Sequence, residues 1–243
     1  NLICICFFMK KPYLKKIGNF SGFNVWIVDG KYVRDNLDGE FTNFGQPLDF
    51  KFIPKNEFWI DKEHGNNENK FFINTMLREY KLMSEGRSYD EARIVADEIE
   101  KKERAKLKAV KRALKKLNTK KEILRKIHKK LLKKYSNDKI KAWIVKGNFV
   151  RSLFFIDFTE GGNDQVYNFV PLGEIWLDDD LSKREIRFVL LHELHERNLM
   201  KKGWSYDVGK KAAHWSAWRI EHFCRRYPQF VEAKIKEELK KFK

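Results

Sequence analysis

His192, Glu193, His195 and Glu196 fall within five consecutive positions, directly behind the apolar run Val189-Leu190-Leu191. On a helix, residue i+4 lies about 40° around from residue i and i+3 about 60° the other way. From His192, therefore, both Glu196 and His195 reach toward a common point while Glu193 projects to one side. A catalytic zinc takes three nitrogen or oxygen ligands and keeps one position open for water. It also needs a carboxylate that is not a ligand, to take a proton from that water and deliver it to a leaving amine. His192 with Glu196 or His195 supplies the helix ligands on this reading, and Glu193 is the general base.

The third ligand is expected to be His214, which lies after the turn at Gly203, near the middle of the following helix. Two helices joined by a short turn pack side by side, so positions part-way along each face one another. Glu221 and His222, further along the same helix, are weaker candidates, and no pattern around Cys4, Cys6 or Cys224 supports a catalytic cysteine. The competing structural reading makes His192 and His214 buried, hydrogen-bonded histidines between helices. Trp204, Trp215 and Trp218 are expected to be core or rim packing.

The elements around these residues occur twice. Trp26-Ile27-Val28 recurs as Trp143-Ile144-Val145, an offset of 117 residues. The same offset pairs Gly30 with Gly147, Val33-Arg34 with Val150-Arg151, and Pro54 with Pro171. It continues through Trp59 and Trp176, Glu79 and Glu196, and Ser88-Tyr89-Asp90 and Ser205-Tyr206-Asp207. So many Trp, Gly and Pro coincidences in one register identify a tandem duplication whose copies share a fold. The expected class is α+β, each copy a small antiparallel or mixed sheet plus helices. Copy one covers 10–100, a basic linker 101–136, and copy two 137–243.

Within each copy, Asn24 to Val28 and Lys31 to Arg34 alternate around Asp29-Gly30, a pattern of tight hairpins. Extended runs are expected at Asp49 to Ile53 and Glu57 to Ile60, with counterparts at Tyr167 to Val170 and Glu174 to Leu177. The period then changes to helical, over Asn69 to Ser84 and Lys183 to Lys201, each stopped by a glycine, Gly86 or Gly203. Ser88 and Glu91 form a capping box that opens a second helix running as far as Leu117. Copy two's second helix is expected from Tyr206 to Arg226, with a closing helix beyond Pro228.

Copy two also carries a resemblance. Gly-Glu-Ile-Trp-Leu-Asp-Asp-Asp-Leu (Gly173 to Leu181), followed by Leu190-Leu191-His192-Glu193, resembles the zincin metallopeptidases, in which a strand and an acidic loop precede an H-E-x-x-H helix. His192 to Tyr206 is also similar to uncharacterised phage and archaeal proteins with H-E-x-x-E and a G-x-S-Y turn. The zincin resemblance implies zinc, hydrolysis of a peptide or protein substrate, and a strand along the bound peptide, giving Glu174 and Trp176 a substrate-binding role. This chain departs from the motif by placing Glu196 where the second histidine belongs and an imidazole one residue early, at His195.

The repeat acts as an internal control. His192, Glu193, His195 and His214 correspond to Thr75, Met76, Arg78 and Asp97, so copy one lacks the constellation and is expected to be a scaffold. Only Glu196 has its equal, in Glu79, which favours a structural role for Glu196 and strengthens His195 as a ligand.

Net charge is +17, and residues 101–134 alone hold 17 Lys or Arg against Glu103 and Glu122, so the surplus is confined to one segment. Leu107, Val110, Leu114 and Leu117, then Ile123, Ile127 and Leu131 after a Thr119/Glu122 capping box, make it a helical hairpin. Such a segment suits a solvated, thermophile-like surface, an anionic protein, or nucleic-acid phosphates. The alternative function is accordingly a non-enzymatic nucleic-acid-associated protein that keeps the zincin fold. With no Phe, Tyr or Trp between 101 and 134, base stacking is not expected there. Three cysteines without a disulfide framework fit a reducing, cytoplasmic setting. The apolar run Leu2 to Phe8 is too short for a membrane span and is expected to be a buried strand, with Met9 a candidate start.

Overall fold

A computed structural model of the chain describes residues 12–63, 68–116 and 119–241. The protein is α+β, with two mixed four-stranded sheets, each followed by helices. The first sheet is built from β1 (Tyr13–Phe20), β2 (Phe23–Val28), β3 (Phe44–Gly45) and β4 (Glu57–Asp61), with helix α1 (Gly30–Asn36) between β2 and β3. Helices α2 (Asn69–Ser84), α3 (Tyr89–Ala105), α4 (Lys108–Lys116) and α5 (Lys120–Ile127) follow. The second sheet contains β5 (His128–Leu131), β6 (Lys141–Val145), β7 (Gly161–Asn163) and β8 (Glu174–Asp178), with α6 (Gly147–Leu153) after β6. The chain continues through α7 (Glu185–Met200), α8 (Ala213–Arg226) and α9 (Val231–Lys240).

The two sheets have the same order, β1-β2-β4-β3 and β5-β6-β8-β7. In each the central pair is parallel and the outer pairs antiparallel, with Trp26 opposite Trp59 and Trp143 opposite Trp176. The duplication extends to the ion pairs beneath the sheets. Arg34 Nη1 donates to Asp61 at 2.6 Å and to the Phe41 carbonyl at 3.1 Å. Arg151 Nη1 repeats this with Asp178 at 2.5 Å and the Phe158 carbonyl at 2.9 Å.

Asp29-Gly30 is not a hairpin turn. Asp29 caps α1 through its side chain, and Lys31 to Arg34 are helical. A parallel pair needs a crossover between its strands, and α1 and α6 begin those crossovers. The glycine is required by close approach: a Cβ on Gly30 would overlap the Asp61 carboxylate, and one on Gly147 the Asp178 carboxylate. The runs Asp49 to Ile53 and Tyr167 to Val170 are turns. The third strand of each sheet is instead the very short β3 or β7, which begins before those runs.

Helices α2 and α7 occupy the positions that the periodicity predicts, and Gly86 and Gly203 follow them at φ +95° and +85°. The Ser88–Glu91 and Thr119–Glu122 capping boxes both form. Copy two's second helix starts late, at Ala213. With Val208 where copy one has Glu91, no acid completes the cap, and Ser205 Oγ bonds the Val208 and Lys211 carbonyls instead.

Helix α3 ends at Ala105, so the second helix of copy one is shorter than its apolar seam suggests. Leu131, expected on a helix face, lies in β5, which pairs with β6. The basic segment is thus two short helices followed by the first strand of the second sheet. The Leu2 to Phe8 run, with Cys4 and Cys6, and the seam residue Leu117 lie outside the described residues, as does the side chain of Leu114. Among the described residues no helix is long and apolar enough to cross a membrane.

The chain divides into two compact units after Lys62. The first holds sheet one. The second begins with the helices that belong to copy one by sequence: α3 packs on α6, and buried Glu68 pairs with both Arg104 and Arg151. One face of sheet two is covered by Phe188, Leu190, Leu191 and Leu194 of α7, with Cys224, Val231 and Ile235 behind them. Val150, Phe158, Val170 and Trp176 form a second cluster. Helix α7 is therefore buried along most of its length, and its polar residues must find partners within the protein.

Candidate metal centre

His192 and Glu196 stand one turn apart on α7, and His214 approaches from the first turn of α8. His192 Nε2 is 3.3 Å from His214 Nδ1 and 3.7 Å from Glu196 Oε2, and His214 Nδ1 is 3.2 Å from Glu196 Oε2. Zinc bonds of about 2.1 Å in a tetrahedron place neighbouring donors about 3.4 Å apart. The triangle of donor atoms matches one face of such a tetrahedron, so the residues fit a zinc ion in number, type and spacing. The side chains of His192 and Glu196 are nearly enclosed, whereas that of His214 is 24 % exposed and opens the cluster to solvent.

Around the triangle lies a set of orienting bonds. His192 Nδ1 is 2.7 Å from Glu221 Oε2, and Arg225 Nε donates to Glu221 Oε1 at 2.8 Å. Arg225 in turn pairs with buried Glu185. Asn163 of β7 uses one amide nitrogen to donate to Glu193 Oε2 and Glu196 Oε1, each at 2.9 Å. A ligating histidine ordinarily has its second nitrogen held by such a carboxylate, which fixes both tautomer and ring orientation.

Burial and neighbouring charges act on each of these groups. Burial, and next the negative charge of Glu196, push the Glu193 carboxyl up to about 8. For Glu196, burial is outweighed by hydrogen bonds from His192 and His214, which bring it down to about 2. Burial disfavours a charged His192, but bonds to Glu196 and Glu221 prevail and hold its pKa well above the ordinary value. Glu221, although buried, is held below the usual carboxylate range by Arg225 and His192.

Of the sequence-predicted residues, the fold brings together His192, Glu196 and His214, with Glu193 alongside. His195 points elsewhere: its Nδ1 is 2.8 Å from Glu238 Oε1 and its Nε2 3.0 Å from Ser216 Oγ, so both ring nitrogens are engaged away from the triangle. The expectation that favoured His195 over Glu196 is thereby reversed. An i+4 spacing reaches His214 across the helix pair, and i+3 turns toward α9.

Glu174 and Trp176 do not face the cluster. Strand β8 is interior, bonded to β6 and β7, and has no free edge for a peptide. Trp176 is fully buried and donates to Glu174 at 2.7 Å, and Glu174 also meets His128 at 3.0 Å. Both β7 and β8 pack beside α7, and β7 is the edge strand of the pair. Trp215 is about half exposed beside His214, and His222 stacks on Trp218. Asp178, Asp179 and Asp180, a second acidic group, are engaged with Arg151 and Lys129.

Asn163 and the orienting role of Glu221 escape a motif-based reading, yet the repeat carries a signal for both. Asn163 corresponds to Gln46, and Glu221 corresponds to Arg104. In copy one Arg104 pairs with Glu68 and Glu100, and Thr75, at the position of His192, donates to Glu100. A hydroxyl–carboxylate bond and an arginine ion pair thus occupy the positions where copy two carries His192 and Glu221.

No family model, curated protein or solved structure matches the chain. Its class rests on its own fold and chemistry: an α+β tandem-repeat protein with a candidate two-histidine, one-glutamate metal centre in the second copy.

Proposed function

We propose that the protein is a zinc-dependent hydrolase of peptide or other amide bonds, its centre formed by His192, Glu196 and His214 and its general base Glu193. The observation that carries this reading is the triangle of donor atoms at 3.2–3.7 Å with a non-ligating carboxylate on the adjacent residue. The resemblance of His192-Glu193 and its preceding strand to zincins supports it further. A bound zinc ion would supply Lewis acidity and make water nucleophilic near neutral pH.

The chain's own residues do the rest. Glu221 holds His192 so that Nε2 faces the centre. Asn163 anchors Glu193 and Glu196 through one amide, keeping base and ligand in fixed relation. Glu193, enclosed and shifted toward neutrality, accepts a proton and returns it to a leaving group at the same pH, the condition for efficient acid–base work. The exposed side of His214 is where a substrate enters. Copy one, with Thr75 and Asp97 at the histidine positions, serves as a scaffold, and a reducing, cytoplasmic setting suits buried, unpaired Cys224.

The test is Glu193→Gln. It should leave zinc bound and reduce hydrolysis of a fluorogenic casein substrate by about 100-fold or more. Hydrolysis at the wild-type rate would exclude Glu193 as the base.

A further inference from the structure

The net charge finds no use in the metal centre. Residues Lys108, Lys111, Arg112 and Lys115 of α4 are all exposed. At 100° per residue they span about 100° of the helix, on the side opposite Val110. Val110 is buried, and α4 packs on α6. Helix α5 is arranged likewise. Ile127 is buried, Ile123 and Leu124 pack on the same cluster, and Lys121, Arg125 and Lys126 are exposed. Both helices contact α6. Val110, Ile123, Leu124 and Ile127 face inward, and two rows of cations face outward.

The two acids of this segment have partners of their own. Glu122 bonds the Thr119 amide and hydroxyl in the capping box, each at 3.1 Å, and Glu103 pairs with Arg78 of α2. Among the described residues, no ion pair involves any of the seven cations named above. Like charges at i, i+3 and i+4 repel by a few tenths of a kcal/mol per pair. A polyanion relieves that repulsion.

We propose that the α4–α5 surface binds double-stranded nucleic acid through its phosphates, without reading sequence. Cations at i, i+3, i+4 and i+7 lie about 5–6 Å from their neighbours on one face of α4, a density of charge that suits the closely spaced phosphates of a duplex. The surface lacks aromatic side chains, which single-strand binding would use for base stacking. Five of the seven cations are lysines, point charges without the planar fork that reads guanine. Membrane insertion would need an outward apolar stripe, and Val110, Ile123, Leu124 and Ile127, among the described side chains, are turned inward. The inference does not depend on zinc or on hydrolysis.

The experiment is fluorescence anisotropy of the full chain with labelled 20-base-pair DNA and RNA duplexes, over about 50–200 mM salt. Binding should weaken steeply with salt, log K falling with log salt at a slope of about −4 or steeper, as release of counterions from several phosphates requires. Replacing Lys108, Lys111, Arg112 and Lys115 together by Gln should weaken binding by about tenfold or more at 100 mM salt and make the slope shallower by about 3. The set Lys121→Gln, Arg125→Gln and Lys126→Gln should act in the same direction. Circular dichroism establishes that each variant is folded, and the comparison of DNA with RNA says which duplex is preferred. The proposal fails if duplex binding is absent, is insensitive to salt or survives both sets of substitutions. It also fails if single strands, polyglutamate or phosphatidylserine vesicles are bound more tightly than the duplex at the same ionic strength.

Discussion

His192 Nδ1 lies 2.7 Å from Glu221 Oε2, and this contact turns the other ring nitrogen, Nε2, toward Glu196 and His214. Glu221 is itself held by Arg225, and Arg225 by Glu185 at the start of α7, so the orientation of one ring is secured from both helices. In copy one the position of Glu221 is Arg104 and that of His192 is Thr75, and no imidazole remains to be oriented.

Removing Glu221 should therefore weaken metal binding without removing a ligand. Glu221→Ala is expected to lower zinc affinity by about 10–100-fold, the usual effect of losing a carboxylate behind a ligating histidine. Glu221→Gln, which still offers an acceptor, should lose less. Competition against a chromogenic chelator measures both, and unchanged affinity in the alanine variant would show that Glu221 is irrelevant to the centre.

The centre should exchange protons for metal. The raised pKa of His192 means that without metal the ring is protonated at neutral pH, and Glu193, at about 8, is largely protonated as well. A cation at the triangle must displace the proton on His192 Nε2, and its charge favours ionised Glu193. Binding at pH 7 should thus release about one to two protons, and affinity should fall as pH decreases, because both groups then hold their protons more fully. Calorimetry in buffers of different ionisation enthalpy counts them. A count of zero would contradict the assigned ligands.

Gly147 and Gly30 give a test of the fold itself. A methyl group at either would overlap the carboxylate that pairs with the buried arginine of the same copy, Arg151 or Arg34. Gly147→Ala and Gly30→Ala should each destabilise by about 1–3 kcal/mol in urea unfolding, the range for forced overpacking. A neutral effect would mean that these glycines are not there for close approach.

Much of this architecture was legible in the sequence, because duplication lets each copy interpret the other. The offset of 117 implied two equal sheets, and the glycine stops and capping boxes located α2, α3, α5 and α7. Asp29-Gly30 misled because a glycine needed for close packing and one needed for a turn look alike in sequence. Strands β3 and β7, two and three residues long, are too short to show a period. At the site, His192, Glu193 and His214 stood out as features of copy two alone. The match with Glu79 undervalues Glu196, since a residue kept in both copies can still complete the donor triangle of one. The direction of His195 depends on α9, whose packing no local pattern reveals.

Zinc content decides the central claim most directly. Untagged protein incubated with zinc and then desalted should retain about one zinc per chain, as should His195→Ala, whereas His192→Ala and Glu196→Ala should fall below about 0.2. Wild-type protein below that level, or zinc retained by both His192→Ala and Glu196→Ala, would contradict the metal centre described for this fold.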